Sequence, residues 1–231
     1  MIRQLANARR RRILVDISTQ KDLFLATGKA CIRNHRRVLC NVRRMIAWAR
    51  SRNIPVISTC EVYPDNNGDN VVHYCIDGTE GQKKISYTLL KNRTSFPADG
   101  DMNLPGDLLR HYHQVILHKR TPDPFDEPRI ERLLTELRAG EFILIGADAE
   151  GAVKAAVLGL LQRKKKVSVV TDAVGVHDRN EAELAFRKMK AKGARLTETK
   201  ELAGRSHLKT AGICPCKTCS QNNGNNGSNG D

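Results

Sequence analysis

Long apolar runs are missing from this chain of 231 residues. No stretch approaches the roughly 18 residues of a membrane span, and the opening MIRQLANARRRRILVD lacks the uninterrupted apolar segment of a secretory signal. The Arg-rich, acid-poor start mimics an organellar transit peptide, but a cytoplasmic protein with no membrane association is the expectation. Aromatic residues make up only 4% of the chain, poor material for a base-stacking platform. Acid is also scarce: 25 Asp and Glu stand against 39 Lys and Arg, a formal charge of +14. Such an excess attracts nucleic acid or anionic small molecules. It is spread over Arg9 to Arg12, Arg36 to Arg44, Lys164 to Lys166 and Arg187 to Lys192, so nucleic acid stays open as a partner without being favoured over a small-molecule substrate. The seven cysteines lack a pairing pattern, with Cys31, Cys40, Cys60 and Cys75 scattered through the body, which suits a reducing compartment.

What is present is an alternation of apolar strands and amphipathic helices. Strands are predicted at RILVDI, PVIST, QVILHK, FILIG and VSVVTD, with a sixth at ARLTET. The segments HRRVLCNVRRMIAWARSRN, EPRIERLLTELRAG, EGAVKAAVLGLLQRKKK and NEAELAFRKMKAKG carry apolar residues at three- and four-residue spacing and read as helices, with Met45 and Trp48 on a core face. This is the pattern of an α/β protein with a Rossmann-like open parallel sheet covered by helices on both faces. Residues 1–11 form a basic extension, 12–206 the domain, and 207–231 a cysteine cluster followed by an Asn/Gly/Ser tract of disorder-like composition. The stretch from Cys60 to His113 has no regular rhythm and is expected to shape a site or partner surface.

Open parallel sheets bind ligands at the carboxyl ends of their strands. There the chain places Asp16, Lys119 and the turn Gly146 to Ala152, which leads into a helix whose first-turn amides favour an anion. Each of these taken singly has a bland reading as a cap or surface residue. In the tail, Cys214, Cys216 and Cys219, with His207 upstream, have the donor chemistry for zinc at irregular spacing; a redox-active thiol group and no cofactor at all are the other readings. His177 reads as a solvated loop residue or as one at the mouth of the pocket.

Together the motifs resemble the isochorismatase-like superfamily, the cysteine hydrolases. ILVDISTQKDLF is similar to its strand followed by Asp, Gln, Asp and Phe, with two extra residues between Asp16 and Gln20. KRTPDPF repeats its Lys with a Phe six positions on, here Lys119 and Phe125, and YCIDGTEG resembles its His-Cys loop with Tyr74 in the His place. GADAEGAVKAAVLGLL followed by VVTDAVG resembles its nucleophile turn and the next strand. The resemblance runs from about Arg12 to Thr199 and implies a commonly oligomeric protein.

The resemblance implies Asp16 and Lys119 as the acid–base residues. It also implies a cis bond at Ala147 to Asp148 beside an oxyanion hole, and a pocket lined by Gln20, Tyr74, Phe125, Ala147 and Asp148. The nucleophile position falls on Ala152, which can do no covalent chemistry. Cys75 is no substitute, because the family's own loop carries a Cys there. The zinc site of nicotinamidases draws an Asp and a His from the segment after the second strand, which here reads STCEVYPDNN without His. No cofactor is expected in the active site. Two functions follow: hydrolysis of a small metabolite assisted by Asp16 and Lys119 without a cysteine intermediate, or an inactive member that binds a ligand, a protein or nucleic acid.

Overall fold

The computed structural model describes residues 12–65 and 72–205. His207, Cys214, Cys216 and Cys219 lie outside the described residues, as do the basic extension and the tail.

Five strongly apolar segments form the centre of the sheet: β1 (Ile13–Ile17), β2 (Val56–Glu61), β4 (Gln114–Lys119), β5 (Phe142–Gly146) and β6 (Val167–Val174). The edges are β3 (Arg93–Phe96) and β7 (Arg195–Thr197), and the order is β3-β4-β2-β1-β5-β6-β7. All pairs are parallel. Buried on both faces, the central strands read as continuous apolar runs. β3 does not, because it is an edge strand whose residues alternate between exposed and half-buried, and its sequence RTSF carries no hydrophobic signal.

Side chains of successive residues in a strand point to opposite faces of the sheet. Ile13, Val15 and Ile17 join one core with Ile57, Val115, Leu117, Phe142 and Leu144. That core is roofed by α4 (Pro128–Glu136), α5 (Ala152–Gln162) and α6 (Arg179–Ala191). Leu14, Val56, Ile143 and Ile145 join the other core, beneath α2 (His35–Ser51), α1 (Lys21–Phe24) and α7 (Thr199–Ala203). Met45 and Trp48 are among its buried residues. A short α3 (Leu108–His111) leads into β4.

From β1 the chain passes to β2, then to the edge strand β3 and back inward to β4, before crossing to β5 on the other side of β1. The reversal point, where such sheets bind ligands, is therefore the crevice between the carboxyl ends of β1 and β5. The two exits approach closely there. Ala147 N donates to Ile17 O at 2.9 Å, and Gly146 has a φ of 118°, with space for a Cβ only 1.9 Å from Ile17 O. A side chain at 146 meets both a backbone clash and an unfavourable φ. Gly146→Ala is therefore expected to destabilise the fold by about 2 kcal/mol or more, read as a lower urea midpoint; an unchanged midpoint would show that the exits do not need this approach.

Candidate functional site

Strand register decides which charges meet. Asp16 pairs in register with Ser58, and Ser58 with Ile116, which puts Asp16 three residues short of Lys119 along β4. Three residues are about 10 Å, and an odd number sends the two side chains to opposite faces. Asp16 and Lys119, implied together as acid–base residues, are thus on opposite faces of the sheet. Lys119 instead pairs with Glu61, directly opposite in the β2–β4 register, at 2.9 Å.

Glu61 and Lys119 are both buried, 3% and 0% exposed, so the pair is sealed from water. Glu61 Oε1 accepts from Lys119 Nζ and from Ser18 Oγ, both at 2.9 Å, while Oε2 accepts from the Tyr63 hydroxyl at 3.1 Å. Lys119 also donates to the carbonyls of Thr121 at 2.9 Å and Pro122 at 3.0 Å. A buried ion pair is tolerated only when its remaining hydrogen-bonding capacity is filled, which is the case here. Ser18 reaches Glu61 because the chain leaves β1 with Ser18 in the left-handed region, φ 48°. Gln20 binds the backbone of Glu61 twice: its side-chain NH2 donates to Glu61 O and its carbonyl accepts from Glu61 N, each at 2.7 Å.

The two-residue excess between Asp16 and Gln20 now has a meaning. If the opening motif is aligned on Gln20 instead of on the strand, Ser18 falls where the resemblance expects the acid. Asp16 lies deeper, on the α2 face. Its Oδ2 accepts from Lys84 at 2.9 Å and from Ser58 at 2.8 Å, while the buried Oδ1 has no partner. Lys84 also donates to Thr19 Oγ1 at 2.7 Å. Sequence reasoning missed Glu61, Ser18, Tyr63 and Lys84. An acid at the end of an apolar strand, in CEVY, was the signal for Glu61; Lys84 comes from the irregular loop and left none.

The turn after β5 contains the cis peptide Ala147–Asp148. Ala152 is fully buried at the start of α5, and its backbone N donates to Asp148 Oδ1 at 3.0 Å. An internal carboxylate thus occupies the amide that a developing oxyanion would use. Glu150 turns away: its Oε1 accepts from the backbone N of His177 and Asp178, at 2.7 Å each. Phe125 packs against Gly159 on α5, with the Arg163 guanidinium 4.0 Å over its ring, so it supports the helix instead of lining the turn. Tyr74 stacks edge-on with Tyr63, ring centroids 5.5 Å apart. Burial, and then the Glu61 carboxylate, push its hydroxyl well above the usual tyrosine range, with Asp148 adding to the rise. Tyr74 thus lies between the Glu61 cluster and the turn after β5.

Neither nearby thiol replaces the missing nucleophile. Burial pushes Cys60 up to about 11 and Cys75 higher still, the latter helped by Glu61 and Asp22. Nor do the residues fit a metal: both Glu61 oxygens already accept from Lys119, Ser18 and Tyr63. Among the described residues no group of three His, Cys, Asp or Glu is placed to hold an ion. Again among the described residues, no helix is long and apolar enough to cross a membrane.

The family model described as Isochorismatase domain matches residues 12–201. Among solved structures, the pyrazinamidase of Pyrococcus horikoshii, determined in complex with zinc, is 18% identical with a TM-score of 0.64, over 81% of this chain and 99% of that one. The N-carbamoylsarcosine amidase of Thermoplasma acidophilum is 19% identical with a TM-score of 0.60, over 82% and 96%. The MAR1 ribonuclease of Caenorhabditis elegans is 23% identical with a TM-score of 0.59, over 93% and 91%. No curated protein sequence matches the chain.

Two measurements check this geometry. Burial keeps both thiols protonated and shielded from solvent, so Cys60 and Cys75 are expected to resist iodoacetamide in the folded protein and to label fully once it is unfolded. Peptide mapping reads this, and fast native labelling would contradict the burial. Lys84→Met strands the Asp16 carboxylate in the core and is expected to cost about 3–5 kcal/mol in urea unfolding.

Proposed function

Because the chain belongs to the isochorismatase family, we propose that it is a hydrolase working without a thiol intermediate, with Glu61 and Lys119 as its acid–base pair. The observation that carries this reading is the buried 2.9 Å contact between the two, with Ser18 on the same carboxylate, at the strand ends where the family's chemistry is expected. Buried charges in such a place are costly to maintain, and active sites are where that cost recurs.

Hydrolysis adds water across the scissile bond. Glu61 takes a proton from the attacking water and returns it to the leaving oxygen, while the Lys119 ammonium faces the charge that develops there. Substrate reaches the carboxylate by displacing the Tyr63 hydroxyl. Ala152 leaves the space of the absent side chain beside the turn. Asp16 takes no part in these steps; on the opposite face with Lys84, it supports β1.

The substrate class we favour is the phosphodiester of RNA. The formal charge of +14 suits a polyanion, and the fold is shared with a protein described as a ribonuclease over more than nine-tenths of both chains. A second reading, a binding protein without catalysis, is favoured by the Asp148 carboxylate on the amide of Ala152 and by the three acceptors that already fill Lys119.

One assay separates them. The purified protein and its Glu61→Gln variant are given a labelled single-stranded RNA, a vinyl ether such as isochorismate, and simple amides. RNA cleavage that falls about a hundredfold or more in the variant is expected. Turnover of a small molecule alone would replace the substrate class while keeping the pair, and no turnover of any substrate would assign the binding role.

A further inference from the structure

The opposite end of the sheet carries a second site. At the amino ends of β1, β2, β5 and β6 lies a cleft of about 1070 Å3, its lining including Arg12, Trp48, Arg52, Pro55, Glu141 and Lys166. Three cations therefore face a single acid. That acid is already engaged, since Glu141 accepts from Arg12 Nε at 3.0 Å and from Ser168 Oγ at 2.6 Å. Arg52 and Lys166 are exposed, and neither side chain forms a hydrogen bond or ion pair with another described residue. Some other cations near the surface are paired, as in Arg132 with Glu136 or Arg163 with Glu131.

The negative end of α2 points here and would repel an anion, but its last carbonyls are taken. Trp48 O and Ala49 O accept from Arg52 N, and Arg50 O accepts from Asn53 N. The Arg12 guanidinium lies over the indole of Trp48, 6.0 Å from its centroid. A guanidinium plane held in this way is a surface on which an unstacked base can rest. Arg9, Arg10 and Arg11 precede it in the sequence and add positive charge to the same stretch of chain.

We propose that this cleft binds nucleotide phosphates, with Arg52 and Lys166 holding the phosphates and Arg12 positioned between phosphate and base. The site is independent of the Glu61–Lys119 chemistry and stands whether or not that pair turns over substrate. From Pro55 to Glu61 the two ends are separated by about 20 Å of strand, so one polynucleotide could contact both, whereas a free nucleotide could fill only one.

Trp48 is the only tryptophan in the chain, so its emission reports on this cleft alone. Full-length protein is titrated with a twelve-residue oligouridylate and, separately, with uridine monophosphate, while binding is also followed by anisotropy of labelled RNA. The expected result is saturable change of Trp48 emission. In Arg52→Glu/Lys166→Glu the affinity is expected to fall about tenfold or more, with a salt slope smaller by about two. Lys192→Glu, an exposed cation beyond α6, is expected to leave affinity within about twofold. Saturation by the mononucleotide with the same spectral change identifies a free-nucleotide site, and saturation by RNA alone identifies a strand site. Unchanged Trp48 emission with both ligands, or an equal loss of affinity in Lys192→Glu, would overturn the proposal. Since the uridine monophosphate titration followed by Trp48 emission reads this cleft without any turnover, failure of the hydrolytic reading and failure of this one are distinguishable.

Discussion

Burying the Glu61–Lys119 pair is the constraint around which the carboxyl end of the sheet is organised. Two charges removed from water are tolerable only if every remaining donor and acceptor is met, and removing one partner alone typically costs about 3–5 kcal/mol. The surrounding elements meet that demand from four directions. β1 ends so that Ser18 turns back, Gln20 clamps the Glu61 backbone, Tyr63 closes the second carboxylate oxygen, and the Thr121 and Pro122 carbonyls complete Lys119. The left-handed Ser18, the tight turn after β4 and the close β1–β5 exits are all in keeping with this one requirement.

A second buried pair lies on the other face, and the two divide the labour. Asp16 with Lys84 joins β1 to the irregular loop after β2, while Ser58 and Gln114 extend the network to β4. Its partners are side chains packed in a core, and Lys84 also reaches Thr19 just before the start of α1. Glu61 with Lys119 stands at the last register pair of β2 and β4, where both chains leave the sheet at its carboxyl end. Both pairs are ionic and both are buried, so burial alone does not distinguish support from chemistry. Position in the sheet does.

Much of this was legible in the chain. Uninterrupted apolar runs are what strands buried on both faces require, so β1, β2, β4, β5 and β6 could be read directly, and the helices followed from their spacing. β3 could not, since an exposed edge strand needs no apolar residues. Lys119 and Ala152 were found from local motifs. The partner of Lys119 was not, because it depends on which residue of β2 stands opposite, and the strand read as ending at Thr59 runs on to Glu61. Asp16 was read from the strand end by its chemistry, and pleating parity places it on the face opposite Lys119. Phe125 shows the same limit: its spacing from Lys119 was right, yet only the fold shows that Gly159 receives its ring.

The chemistry at the turn after β5 suits an alanine at position 152 and not a thiol. A cysteine at position 152 would need the first amide of α5 free for an oxyanion and a nearby base to take its proton. The amide is capped by Asp148, and the hydroxyl of Ser18 stands near the strand end where an acid is expected. A methyl group at 152, a carboxylate on its amide and a hydroxyl at 18 form a consistent set, because each removes a need that the others would create. With Asp16 on the other face of β1, Glu61 on β2 supplies the carboxylate here, so one acid, one lysine and one hydroxyl lie together at this end of the sheet. Restoring the cysteine alone would therefore place a thiol beside Asp148, where a negative neighbour raises its pKa and no free amide stabilises an intermediate.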